Sequence, residues 1–133
     1  MTDRITDHFA WSEFACHDGT DVPAEKRSGT TRLCVQLEVL RAYLDCPIRI
    51  VSGYRTAEYN KRCGGARDSQ HMHGRAADIQ VAGMTPTEVY HEIEGLIDRG
   101  LMTNGGIGRY DTFVHFDVRG YIARWDERKT KTT

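Results

Sequence analysis

Phe113-Val114-His115-Phe116-Asp117-Val118 is the stretch on which the reading of the fold turns. Val114, Phe116 and Val118 share one face of an extended chain, and His115 and Asp117 share the other. The apolar set predicts a strand laid against a core. The polar pair on the opposite face is costly to bury without partners, so that face must carry something that satisfies it. Working outward, Ala76–Val81 reads as a second strand and Ile48–Val51, released by Pro47, as a third. Tyr121–Trp125 reads as a fourth, while Gly105-Gly106-Ile107-Gly108 between these segments reads as a turn.

Two helices are written plainly. Leu33, Leu37, Leu40 and Leu44, with Val39 and Tyr43 beside them, predict an amphipathic helix over Thr31–Leu44. Thr85 as a cap, Pro86 at the first position and Glu88 at the third open another, which runs to Asp98 with Val89, Ile93, Leu96 and Ile97 inward. Thr56–Cys63 predicts a short helix ended by Gly64-Gly65, and Ser12 a cap for a turn beginning at Glu13. Helices alternating with short strands in this way predict an α+β domain, its helices packed against a small, mostly antiparallel sheet.

The chain has 133 residues, 39% hydrophobic and 28% charged, which suits one folded domain over residues 1–133 with a polar tail from 126. A net charge of −1 with both signs interspersed excludes a dedicated nucleic-acid binder. No apolar run approaches the ~20 residues of a membrane span. Residues Met1–His8 lack the pattern of a secretory signal, so synthesis in the cytoplasm is expected. Cys16, Cys34, Cys46 and Cys63 form no C-x-x-C pair; reduced thiols are expected, with Cys34 and Cys46 as small core residues.

Chemistry is concentrated in Ser69-Gln70-His71-Met72-His73-Gly74-Arg75-Ala76-Ala77-Asp78. It sets His71 in a loop and Asp78 on the strand that follows. An imidazole and a carboxylate suit a borderline-soft ion such as zinc, although this spacing alone is weak because loop histidines are common. His115 adds a third donor. Two histidines and one aspartate leave a fourth position open, the arrangement of a catalytic rather than a structural zinc. His8, His17 and His91 carry no supporting pattern.

Ser69-x-His71-x-x-Gly74-x-Ala76-x-Asp78 followed by Phe113–Asp117 resembles the signature of the zinc D-alanyl-D-alanine carboxypeptidase family, whose members cut peptidoglycan stem peptides and include phage endolysin peptidases. Ser52–Thr56, Tyr59-Asn60, Gly64–Ala66, Gly105–Gly108 and Ala123-Arg124-Trp125 match in order, so the resemblance runs from about Phe9 to Trp125. It implies a hedgehog- or D,D-peptidase-like fold, with His71, Asp78 and His115 as ligands of Zn2+. Arg55 would bind a substrate carboxylate or carbonyl, with Tyr54, Ser69 and His73 as further substrate contacts; Ser69 reads equally as a loop-orienting residue. Relatives that cut the L-alanyl-D-glutamate bond carry an acid three residues before the last zinc histidine, where this chain has Thr112. The candidates left for general base are Asp117, about 7 Å along the strand from His115, and Asp111 at the strand's start. Asp117 also reads as a carboxylate that orients a ligand histidine.

The activity so implied is D-Ala-D-Ala carboxypeptidase or D,D-endopeptidase. L-Ala-D-Glu cleavage and a non-catalytic zinc-containing binding module are the alternatives. The expected partner is the peptidoglycan stem peptide, met by a monomer that reaches the wall through a membrane lesion or on a virion.

Overall fold

The computed structural model describes residues 3–129. A small hairpin, β1 (Arg4–Thr6) and β2 (Phe9–Ala10), leads into the short helix α1 (Trp11–Phe14) and the long helix α2 (Arg27–Leu44). Then come β3 (Ile48–Ser52), α3 (Ala57–Arg62), β4 (Ala76–Val81), α4 (Pro86–Asp98), β5 (Gly106–Arg109), β6 (Val114–Asp117) and β7 (Ala123–Asp126). The last five strands form one sheet in the order β3-β4-β6-β5-β7. Its pairs are antiparallel except β5 with β7, which run parallel. This is the expected α+β architecture with a mostly antiparallel sheet. No helix among the described residues is long and apolar enough to cross a membrane.

Leu33, Leu37 and Leu40 of α2 and Val89, Ile93 and Leu96 of α4 are buried in one cluster with Ala77, Ile79, Ile107, Val114 and Phe116 of the sheet. The helices thus take the apolar face of each strand, and the alternate residues are left for the other side. Helix α4 begins as its sequence predicts: Thr85 Oγ1 accepts from Glu88 N, and the Glu88 carboxylate accepts from Thr85 N. Thr56 caps α3 with a single bond, its Oγ1 accepting from Tyr59 N.

Several expectations are corrected. Gly105–Gly108 is not a turn, because Gly106–Arg109 is strand β5 in the interior of the sheet. Its glycines serve close approach rather than bending. A Cβ at Gly108 would lie 2.3 Å from the Trp125 indole, and one at Gly106 would lie 2.3 Å from the Asp117 carboxylate. Helix α2 starts at Arg27, four residues ahead of Thr31, because Gly29 and Thr30 are buried against the loop that carries Gly74. Tyr43, expected on the inner stripe, is half-exposed under the Arg99 guanidinium. Ser12 lies inside α1; the cap position falls to Ala10, whose N–H donates to the Glu13 carboxylate.

At the other end, Tyr121 and Ile122 are exposed and the strand begins at Ala123. Within the expected tail, Arg128 forks onto Asp126, and Lys129 N donates to Asp111. Residues 130–133 of the expected tail lie outside the described residues.

One carboxylate fastens the hairpin to the core. Glu38 of α2 accepts from Thr6 Oγ1 (2.7 Å) and His8 N (2.7 Å), and its other oxygen meets the His8 ring (2.7 Å). Partial burial works to raise its pKa, but these bonds outweigh it and hold the group below its ordinary 4.5. A depressed carboxylate stabilises the fold above its unfolded pKa, and the stabilisation is lost as the pH falls through the folded value. Glu38→Gln is therefore expected to cost about 1 kcal/mol at neutral pH. Unfolding curves measured across the acid range should show the difference from the native chain shrinking below about pH 4.5. A difference independent of pH would show that the charge is not what holds the hairpin.

Candidate metal centre

The pairing register draws a single row of residues across the sheet. Ser52 lies opposite Asp78, Asp78 opposite His115, His115 opposite Gly108, and Gly108 opposite Trp125. This row is on the face away from α2 and α4, because it alternates with Ala77, Ile79, Val114 and Phe116. Asp78 and His115 are therefore neighbours by strand pairing. His71 reaches them from a 3-10 turn over Gln70–His73. Ser69 Oγ accepts from His71 N (3.2 Å), and Arg55 N donates to His71 O (3.1 Å).

The three donor atoms form a nearly equilateral triangle. His71 Nε2 is 3.3 Å from Asp78 Oδ1, His115 Nδ1 is 3.3 Å from the same oxygen, and the two ring nitrogens are 3.2 Å apart. A tetrahedral ion with bonds of about 2.05 Å has ligand–ligand edges of about 3.3 Å. The far side of each ring is also fixed. His71 Nδ1–H donates to Gly53 O (2.7 Å), and His115 Nε2–H donates to Asp117 Oδ2 (2.6 Å). Each inner nitrogen is thereby left as a lone pair aimed at the other and at a carboxylate. Three buried acceptors converge, and a cation is the group that satisfies all of them.

The charges of His71 and Asp78 agree with this reading. Burial pushes the His71 pKa down and keeps that ring neutral. Burial works to raise the pKa of Asp78, but His115 and His71 outweigh it and hold the group ionised, well below the carboxylate range. Burial works against a charged His115 too, yet Asp117 and Asp78 outweigh it and raise its pKa. A metal ligand must be a neutral imidazole, so the raised pKa makes metal binding through His115 more favourable as the pH rises.

The cluster lies on the wall of a cavity of about 750 Å³ that also includes Arg55, Ser69, Tyr110, Arg119, Trp125 and Glu127. Arg55 Nη2 donates to Asp78 Oδ2 (3.2 Å), while Nε and Nη1 reach Ser52 Oγ (3.3 Å) and Asn60 Oδ1 (3.4 Å). Four of the expected residues, Tyr54, His73, Asp111 and Asp117, are not on this wall. Tyr54 is buried in the core with Lys26 over its ring. His73 is turned outward onto Asp68 (2.9 Å). Asp111 is exposed and accepts from Lys129 N.

Asp117 is wholly buried behind His115. Its Oδ1 accepts from Gly106 N and Arg119 N, and both of its oxygens are gripped by the Arg119 guanidinium at 2.8–3.1 Å. It touches the imidazole edge opposite the metal donors. Arg119 and Tyr110 were not singled out from the sequence, and Trp125 was matched in a motif without a role at the site. An Asp-x-Arg pair leaving a strand was the available signal for the first. Trp125 packs on His115 (ring centroids 4.9 Å apart), a contact that depends on the empty position at Gly108.

Residues 6–117 match the model of a protein family described as peptidase M15. The chain belongs to the peptidase M15 family. Metal dependence is typical of M15 peptidases, and the His-Asp-His cluster is its counterpart here. A relative from Haemophilus influenzae, named "Probable peptidoglycan L,D-endopeptidase MepK", is 34% identical over 85 residues, which cover 59% of this chain and 42% of that protein. The match thus spans less than half the length of the relative.

If Asp117 orients His115, Asp117→Asn should weaken metal binding by roughly 10–100-fold with the fold retained. Competition with a chromogenic chelator measures it, and unchanged affinity would show that the carboxylate does not set the ring.

Proposed function

We propose that this M15 peptidase is a zinc enzyme that hydrolyses peptide bonds of peptidoglycan. The observation that supports it best is the triangle of one carboxylate oxygen and two imidazole nitrogens, with 3.2–3.3 Å edges, on a cavity wall. Two nitrogens and one oxygen at that spacing suit tetrahedral zinc. The cavity has room for several peptide residues. Peptidoglycan is the substrate in the name of the Haemophilus relative. The L,D bond in that name supports an endopeptidase cut ahead of the D-Ala-D-Ala hydrolysis expected from Thr112.

Zinc held by His71 Nε2, Asp78 Oδ1 and His115 Nδ1 would polarise the scissile carbonyl and acidify a water. The protein's own part is positional. Gly53 O and Asp117 hold the outer ring protons, so both histidines present lone pairs inward. Arg55 holds the second oxygen of Asp78 and keeps one N–H on each terminal nitrogen for a substrate carboxylate. Asp117 acts as an orienting group, because its oxygens are taken up and the imidazole separates it from the donor triangle. Glu127 would be the proton acceptor. It is the wall carboxylate without a side-chain partner among the described residues, whereas Asp78 is tied to Arg55 and Asp68 to His73.

Purified sacculi digested by the zinc-loaded, chelated and zinc-restored protein should release peptide fragments in the first and third cases alone. Mass spectrometry of the fragments identifies the bond. Release that ignores the chelator would sink the metal assignment, and no release at all would point to a binding module on the same scaffold. Glu127→Gln should lower kcat roughly 10²-fold or more with metal content unchanged. A larger loss from Asp111→Asn would overturn that choice of base.

A further inference from the structure

One polar group on the cavity wall has no task in the scheme above. Tyr110 leaves the end of β5 in a tight turn in which its N–H donates to Phe113 O (3.1 Å) and its ring stacks on Phe113 (centroids 4.5 Å apart, planes 17° from parallel). The phenol is held at its far end as well, where Trp125 Nε1 and Tyr110 Oη are 3.0 Å apart. An indole N–H can only donate. The phenol oxygen is therefore the acceptor in this bond, and its own proton remains to be given. Among the described residues no protein acceptor takes it, and the ring belongs to the wall shared with His71, Asp78 and His115. Trp125 reaches this position because it lies across Gly108 and against His115, so the bond that orients the phenol is keyed to the row that carries the metal donors.

The sheet order places this donor opposite Arg55. Arg55 is tied to Ser52 on β3, at one edge of the sheet, and Tyr110 is tied to Trp125 on β7, at the other, with Asp78 on β4 and His115 on β6 between them. A peptide lying across the cavity meets a guanidinium on one side of the triangle and a phenol on the other. Arg55 spends one N–H from each of its nitrogens on the protein, whereas the Tyr110 O–H is unspent. We propose that Tyr110 is a catalytic residue that donates its phenolic hydrogen bond to the scissile carbonyl oxygen as negative charge develops there, leaving Arg55 to take a substrate carboxylate. This rests on the peptidase reading. No proton need be transferred, since the phenol stays un-ionised and acts as a fixed dipole in a partly desolvated site. Burial raises its pKa above the ordinary 10, more than the Trp125 bond lowers it, so the proton is present at neutral pH.

Tyr110→Phe keeps the Phe113 stack and removes only the hydroxyl. In the zinc-loaded protein it should lower kcat about 10²–10³-fold, with KM within about threefold. Zinc content and Tm should be unchanged. Trp125→Phe should give a smaller loss by freeing the phenol to turn, and the double variant should be no slower than Tyr110→Phe alone. A second measurement does not depend on turnover. A phosphinate pseudo-dipeptide presents a tetrahedral anionic oxygen, and its calorimetric Kd should rise at least about tenfold in Tyr110→Phe. Equal phosphinate affinity in the two proteins, or a loss confined to KM or to zinc content, would overturn the proposal. Sacculi left intact by the native chain would refute the peptidase reading, and the phosphinate titration would still decide the role of Tyr110.

Discussion

A slip of one residue by β6 against β4 would turn His115 into the core, away from Asp78, and leave Val114 and Phe116 facing the cavity. The register of this one strand pair governs both halves of the molecule. The hydrophobic side of the bargain is what fixes it, since four fully buried side chains on these strands pack beneath α2 and α4. At about 25 cal/mol per Å² of apolar surface removed from water, that burial far exceeds what one donor pair could contribute. The chemical face is therefore aligned by the greasy one. His71, which no strand carries, needs its own fastenings: Ser69 Oγ, Arg55 N and Gly74 N on its backbone and Gly53 O on its ring.

Electrostatics at the centre is organised as a short alternating file. Arg119 neutralises Asp117, Asp117 holds His115, and His115 meets Asp78, which Arg55 holds from beyond. Two arginines thus bracket two buried carboxylates, with the imidazole between. Taking away one member of such a set strands a buried charge, which is why these residues act as a unit. The same bracketing explains why Asp117 is a poor proton acceptor. A carboxylate gripped by a guanidinium and two backbone N–H groups has little basicity left, and burial works to raise its pKa without overcoming those contacts.

Much of this was written locally in the chain. The alternation in Val114–Val118 gave the faces of β6, because side-chain direction in a strand has a period of two. Thr85, Pro86 and Glu88 marked the start of α4, because a capping box satisfies its own backbone donors. What was illegible depended on neighbours distant in sequence. Gly106 and Gly108 look like punctuation until Asp117 and Trp125 are seen to fill the space that their side chains would need. Asp117 could be assigned to a face but not to a task, since alternation says nothing of what stands between it and the donors. Tyr110 and Arg119 took their meaning from partners on other elements. Tyr54, adjacent to Arg55, turned into the core because extended neighbours point to opposite sides.

The donor triangle has one further consequence. Two of its corners are borne by adjacent paired strands, whose spacing is set by the hydrogen-bonded ladder and cannot stretch without breaking it. The bite offered to an ion is thus a property of the backbone. Calcium, which takes six to eight oxygens at about 2.3–2.6 Å, would need a wider and more numerous set of donors than this sheet can supply. The spacing of these two donors is therefore set by the same ladder that folds the chain.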